Sequence, residues 1–348
     1  MTDHGFGIVG TGVIAETHAK AIAALPNAHL VAVTDVRPDS LAAFAAAHGC
    51  AAEPDLAALV ARDDVEVVSV CVPSGLHAEV GIQAAAAGKH LVVEKPIEVT
   101  LAAADSLIKA ADAFGVALTV ISQHRFDPGL VELRRLLDDG ALGDLVLGEA
   151  KTKWYRTQEY YDSATWRGTV AFDGGALLNQ GVHYVDLLRW CMGPVAQVTA
   201  VSATRTHQME AEDTALALIR FTSGAVGTIV ASTAVYPGFA QQLEITGTNG
   251  TVIIEDGDIV RAELRNGDAR SAVPRRAPAA PAAAADPALN GVASHAAQIA
   301  DLLTAIEQGR QPWVSALSAR DALEIVCAAY DSARDNRPVV LQQSRLAP

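Results

Sequence analysis

Cysteine is scarce in this chain of 348 residues: Cys50, Cys71, Cys191 and Cys327 lie far apart and show no C-x-x-C spacing. That excludes a disulfide framework and a zinc ribbon, and the four read as small core residues of a reducing compartment. Basic charge is also short, with 26 Lys and Arg against 40 Asp and Glu, a net charge of −14. The cations are scattered rather than gathered into a stripe. Such a surface repels a phosphate backbone instead of releasing its counterions, so nucleic acid is not an expected partner. Long apolar runs are missing as well, because charges or glycines interrupt every stretch before the ~18–20 residues a spanning helix needs. The start of the chain lacks a basic segment, apolar stretch and small-residue cleavage site in succession, since the apolar run 6–10 turns at once into Gly12 and a helix. No membrane partner and a cytoplasmic location are expected.

What is present has a rhythm. The length suggests two domains at about 100–200 residues each. From residue 5 to about 124, short β-rich runs (6–9, 30–34, 65–72, 91–93 and 118–121) alternate with alanine-rich helical stretches. Alternation of that kind predicts an α/β fold, a parallel sheet with helices on both faces, over residues 1–124. After Phe126-Asp127-Pro128 the pattern changes to helix, polar aromatic segment, helix, then consecutive strands at 195–204, 214–222, 225–234, 242–246 and 251–255. Residues 125–348 are therefore expected to form an α+β domain with an open, mostly antiparallel sheet. One face of that sheet is left wide and partly apolar unless a second copy covers it, which predicts a homo-oligomer, dimer or tetramer. Residues 266–290, including Arg275-Arg276, read as a long exposed loop rich in proline and alanine. Helices are predicted at 294–308 and 316–336, the first ending at Gly309 and the second followed by Pro338.

The first β-run ends in Gly10-x-Gly12-x-x-Ala15 and opens a helix near Val13 and Ile14, which is the context a dinucleotide-binding turn requires. Gly10 makes the tight turn, Gly12 lets the backbone approach a pyrophosphate, and Ala15 permits close packing of helix on strand. Asp35, at the end of the second run, is placed to accept bonds from ribose hydroxyls, which favours NAD; Arg37 two residues on leaves NADP possible. Pro73, Ser74 and His77 leave the third run, 65–72, where ligands of such sheets bind, and His77 is expected at a cap or a ribose. Glu94-Lys95-Pro96 closes the next run and aims Lys95 where a nicotinamide should lie. In residues 173–190, read as one helix, Asn179, His183 and Asp186 fall at i, i+4 and i+7 on one face, with Leu178, Val182 and Val185 on another. One His-x-x-Asp pair offers too few ligands for a metal, and none is expected.

The set GIVGTGVIAETHA, Asp35, VPSGLH, Glu94-Lys95-Pro96 and GGALLNQGVHYVDLLRWCMG, with 305–333 closing the chain, resembles the Gfo/Idh/MocA family of oxidoreductases. The resemblance implies a Rossmann domain, a second domain whose open sheet serves oligomerisation, and NAD(P)-dependent redox chemistry on sugars or cyclitols. It implies His183 as the base that takes a hydroxyl proton and Lys95 as the group that stabilises the same oxygen. In the inositol-dehydrogenase branch an aspartate stands four residues before the histidine, where this chain has Asn179, an amide that carries no charge. The NQGxH form is more similar to the nucleotide-sugar branch, which oxidises the 3-hydroxyl of UDP-N-acetyl-glucosaminuronate, and to related sugar 3-ketoreductases. Arg156, Tyr161, Trp166 and Arg167 would suit such a ligand, aromatic faces stacking on sugar or base and arginines meeting anions. Arg125 is the preferred anion contact. The alternatives are a dehydrogenase or ketoreductase of inositols, free sugars or glycosides, and a dinucleotide sensor without catalysis, which retention of both Lys95 and His183 disfavours.

Overall fold

The structure is a computed structural model that describes residues 3–265 and 291–341. Arg275 and Arg276 lie outside the described residues. The chain divides into two compact units, Met1–Gln123 with Ala288–Arg320, and His124–Pro287 with Asp321–Pro348.

In the first unit, β1 (His4–Val9), β2 (Ala28–Thr34), β3 (Ala51–Ala52), β4 (Val67–Val70), β5 (His90–Val93) and β6 (Leu118–Val120) form a parallel sheet in the order β3-β2-β1-β4-β5-β6. The order reverses between β1 and β4, the switch point beside which doubly wound sheets bind ligands. Helices α1 (Val13–Ala23), α2 (Pro38–His48), α3 (Leu56–Val60), α4 (His77–Ala86) and α5 (Leu101–Phe114) connect the strands. All four residues of β4 are buried, as strands covered on both faces must be.

One domain expectation is corrected here. Residues beyond 125 do not all belong to the second body, because Ala288–Arg320 returns to the first. Helix α9 (Val292–Gln308) carries Ile299, Leu302 and Leu303 at helical spacing, and these pack into the core formed by Phe6, Ile8, Ala15, Ile22 and Val33. Each such side chain gains about 1.5–3 kcal/mol from burial, enough to hold the helix there. Gln298 fastens it: its amide nitrogen donates to Val120 O (2.8 Å) and Thr119 Oγ1 (3.0 Å), and its oxygen accepts from Ser122 N (2.9 Å).

The second unit contains an eight-stranded sheet built from β7 (Leu145–Lys153), β8 (Val195–Ala203), β9 (Thr214–Phe221), β10 (Val226–Ser232), β11 (Gln242–Gly247), β12 (Gly250–Glu255), β13 (Asp258–Leu264) and β14 (Val339–Val340). The order is β13-β12-β11-β7-β10-β9-β8-β14, antiparallel except for β7 beside β10. Helices α6 (Pro128–Asp138), α7 (Gln158–Asp162) and α8 (Val182–Met192) belong to it, and α10 (Ala316–Asp335) begins in the first unit and continues into it. Helix α8 packs on β7 and β11. Gly148 permits this, since a Cβ there would stand 2.7 Å from Leu188 Cδ1 and 2.8 Å from Met192 Cγ. Along β9, buried Ala215, Ala217, Ile219 and Phe221 alternate with Leu216, Leu218 and Arg220, so two leucines sit on the uncovered face. Among the described residues no helix is long and apolar enough to cross a membrane.

Candidate active site

The residues expected to bind a cofactor gather at the carboxyl ends of β1, β2, β4 and β5. Gly10 adopts φ +96°, and a Cβ there would stand 2.5 Å from Cys71 O, so only glycine fits. Gly12 is the opposite case. A Cβ on it meets nothing within 4 Å, so protein packing does not demand this glycine, and the main chain is left open to close approach. Gly12 stands at the N-cap of α1, followed by exposed Val13 and half-buried Ile14, and the first-turn N–H groups of a helix have no intrahelical acceptor. A pyrophosphate is the ligand such groups suit.

Asp35 accepts from Thr11 N (2.7 Å) and Oγ1 (2.6 Å), and from Arg37 N (2.8 Å), Nε (3.2 Å) and Nη2 (3.2 Å). Burial opposes its charge, but the bonds from Arg37 and Thr11 outweigh that and bring the carboxyl down to about 2. The acid thus stays ionised and ties the end of β2 to the glycine turn, while Arg37 is engaged by Asp35. A 2′-phosphate would meet this carboxylate.

His77 is buried, its Nδ1 2.8 Å from Pro96 O and its Nε2 3.0 Å from Val72 O. Burial holds its pKa below the ordinary value despite those carbonyls. The ring joins the loop of Pro73 and Ser74 to the Lys95-Pro96 turn, which corrects the expectation of a ribose contact: both nitrogens face main chain. Glu94 is also buried. Desolvation would raise its pKa, yet the bond with His18 and the His295 ring 3.7 Å away hold it well below the usual carboxylate range. His18 Nε2 lies 2.8 Å from Glu94 Oε1, and Oε2 accepts from Lys95 N at 3.0 Å. The donor atoms of His18, Glu94 and His295 all lie within 4.8 Å of one another, the composition of a metal-ligand set, in which the carboxylate already has hydrogen-bonded partners. Half-buried Lys95 follows directly, its backbone held by Glu94 on one side and, through Pro96, by His77 on the other.

The remaining candidate residues lie in the other unit. Residues 173–190 are not one regular helix: a π-helical turn, Ala176–Gly181, precedes α8. Within 173–188 only Asn179 and His183 are partly exposed, so these two open together from an otherwise buried segment. The third member of the expected polar stripe does not join them. Asp186 is buried and pairs with Arg125, whose Nε donates to Oδ2 at 2.8 Å and whose Nη2 meets Oδ1. Arg125 is itself buried, and its guanidinium lies 5.4 Å from the Trp190 ring. The role of anion contact expected for Arg125 is corrected accordingly, since its charge is neutralised by Asp186. Beside it, His124 sets its ring edge-on to His183 with centroids 5.2 Å apart, and its Nδ1 lies 2.7 Å from Asp127 Oδ2.

Asn179 has a partner that sequence reasoning missed. Its Nδ2 donates to Asp173 Oδ1, and Asp173 Oδ2 accepts from Gly168 N at 2.8 Å. A buried carboxylate thus stands behind the amide. Glu212 was likewise unforeseen, and its one signal was Gly175, where a Cβ would collide with the Glu212 carboxyl.

The aromatic segment separates into buried and open parts. Arg156 is buried 4.9 Å from the Trp154 ring centroid and 5.4 Å from that of Tyr160, and burial lowers its pKa. Tyr161 is buried and bonded to Thr233 Oγ1 at 2.7 Å, its pKa raised by desolvation. Trp166 and Arg167 are partly exposed, the guanidinium 4.7 Å from the Trp166 ring and 4.3 Å from that of Tyr160. Arg156 and Tyr161 are thus enclosed, while Trp166 and Arg167 form a partly exposed stacked cation.

Comparison with known proteins agrees with this division. The sequence model of an oxidoreductase family with an NAD-binding Rossmann fold matches residues 4–122, and that of the GFO/IDH/MocA C-terminal domain matches 130–253. The chain is 31% identical to the WlbA dehydrogenase of Bordetella pertussis, solved with NADH and UDP-GlcNAcA, over 99% of each chain at a TM-score of 0.89. The Chromobacterium violaceum WlbA complex with the same ligands gives 30% identity and 0.88, covering 99% of this chain and 97% of that one. Inositol 2-dehydrogenase of Rhizobium meliloti is 28% identical over 341 residues, 96% of this chain and 98% of its own.

Proposed function

Because this chain belongs to the Gfo/Idh/MocA family of oxidoreductases, NAD-dependent enzymes of sugars and polyols, we propose that it oxidises a secondary hydroxyl of a nucleotide-linked sugar acid, at C3 of UDP-N-acetyl-glucosaminuronate. The observation that carries the substrate class is the open Trp166–Arg167 stack, which presents a cation and an aromatic face together. The amide at Asn179 and the likeness to the two WlbA complexes support the same branch.

NAD, when bound, accepts the hydride. Gly10, Gly12, Val13, Ile14, Asp35, Pro73 and Ser74 would hold it; His77 and Glu94 act through the Lys95 turn and Arg37 through Asp35. His183 takes the hydroxyl proton, for which an imidazole with an ordinary pKa of ~6.5 is suited near neutral pH. Lys95 stabilises the oxygen as charge develops. Asn179, backed by Asp173, orients the sugar, and Arg167 meets the carboxylate or phosphate.

A second reading, oxidation of an inositol or free sugar, is favoured by the 28% identity to an inositol 2-dehydrogenase over nearly the full length. The two separate on appearance of NADH or NADPH at 340 nm with NAD or NADP. Turnover of UDP-N-acetyl-glucosaminuronate well above that of the free uronic acid and of myo-inositol is expected, and the reverse preference would overturn the nucleotide-sugar reading. We also infer that a second copy covers the open face of the sheet, where Val201 lies opposite Leu216 and Thr199 opposite Leu218.

A further inference from the structure

The N-terminus of the π-helical turn Ala176–Gly181 is closed by one residue from a distant part of the chain. Ala176 N donates to Glu212 O (2.8 Å) and Leu177 N to Glu212 Oε1 (2.8 Å). Leu178 N donates to Tyr330 Oη (3.2 Å), whose hydroxyl donates in turn to Glu212 Oε1 (3.1 Å). Only the fourth donor, Asn179 N, finds a local acceptor, Gly175 O at 2.9 Å. Three of the four N–H groups that a helix start leaves over thus depend on Glu212, directly or through Tyr330.

The fit is close. A Cβ on Gly175 would collide with Glu212 Oε2, so the glycine makes room for this carboxyl. Glu212 is buried, and burying a carboxyl without need costs stability. The turn it caps carries Asn179 and leads straight into His183. Single π-turns of this kind concentrate at functional sites, where they aim side chains that a regular helix would place elsewhere. From the opposite side Asp173 holds the Asn179 amide, so the turn is gripped by two buried carboxyl groups.

We propose that Glu212 is a positioning residue for the reaction: by capping the 176–181 turn, with Tyr330 as its relay, it sets where Asn179 and His183 stand. This rests on the reading of His183 as the base. The groups that share the site are Tyr330 from α10 and the neighbouring acid Asp213; the turn itself contributes main-chain N–H groups and no ionisable side chain.

The test uses the full chain in three variants. Glu212→Ala removes the acceptor for Leu177 N–H and Tyr330, whereas Glu212→Gln keeps an oxygen of the same reach. For Glu212→Ala we expect amide hydrogen-exchange protection at Leu177 and Leu178 to fall about tenfold. Its kcat should fall by at least about tenfold, with the Kd for NAD unchanged. Glu212→Gln should restore both to within about threefold of wild type. The kinetics use whichever of UDP-N-acetyl-glucosaminuronate and myo-inositol the wild type oxidises, so failure of the substrate reading leaves the test intact. Wild-type kcat in Glu212→Ala, with or without lost protection, overturns the proposal. Failure of Glu212→Gln to recover also overturns it. His183→Ala is the control: if it keeps full turnover, the reading of the base fails instead. Should Glu212→Ala not fold, Tyr330→Phe removes the Leu178 link alone, and a kcat at least about threefold down is then expected, with unchanged values overturning the relay.

Discussion

At the scale of single residues, the structure separates buried, paired arginines from partly exposed ones. Arg125 and Asp186 are both buried and bonded to each other, and removing one partner leaves the other as an uncompensated buried charge. Arg125→Ala should therefore lower stability by about 3–5 kcal/mol in urea unfolding, a loss too large for a ligand contact at the surface. Arg167→Ala should leave the unfolding midpoint nearly unchanged and raise the Michaelis constant for the nucleotide sugar about tenfold, by loss of one charge-assisted contact. Equal Michaelis constants would remove Arg167 from the site. Lys95→Ala and His183→Ala should each reduce kcat by about 10²–10⁴-fold while NAD binding, followed by fluorescence titration, stays intact.

At the scale of elements, two glycines of one turn make opposite demands. Gly10→Ala forces a Cβ to within 2.5 Å of Cys71 O at φ +96°, so it should lower both the unfolding temperature and the NAD affinity. Gly12→Ala meets no protein atom within 4 Å, so its unfolding temperature should match wild type while the Kd for NAD rises at least about tenfold. An unchanged Kd would mean that no ligand approaches there. The π-turn brings a pH dependence. Burial pushes Glu212 from 4.5 up to about 7, against the bonds from Leu177 and Tyr330. The folded chain therefore holds this proton more tightly than the unfolded chain does. The resulting stability is complete below about pH 4.5 and is lost as pH rises through about 7. Glu212→Gln should accordingly unfold at a higher temperature than wild type at pH 8 and at nearly the same temperature at pH 5.

At the scale of the whole molecule, the open face of the eight-stranded sheet carries Val201, Leu216, Leu218 and Val226, all substantially exposed. Large apolar side chains exposed together on one sheet face mark an interaction surface. Leu218→Glu, placed among them, should shift the sedimentation coefficient toward the monomer without lowering kcat by more than about twofold, if a second copy covers the face. Wild-type protein sedimenting as a monomer would end that proposal.

Much of this protein is legible along the chain. Gly10-x-Gly12, Asp35 and Glu94-Lys95-Pro96 are local signals, because a turn of positive φ and a strand end are short-range features that neighbouring residues dictate. The alternation of β-runs and helices carries the parallel sheet for the same reason. Long-range pairing is another matter. Helix α9 looks from its position like part of the second domain, and only the packing of Ile299, Leu302 and Leu303 against Phe6 and Ile8 returns it to the first. Arg125 reads as an open cation until Asp186, distant in sequence, neutralises it, and Asn179 reads as an uncharged substitute until Asp173 stands behind it. The regular spacing of 179, 183 and 186 assumes an α-helix throughout, and the π-turn breaks it through a cap from Glu212. The sequence by itself determined the fold class and the cofactor, since those follow from local conformation and residue chemistry. Which charges face a ligand and which face each other was decided only by the tertiary structure, because a buried charge takes its role from whatever partner the fold brings to it.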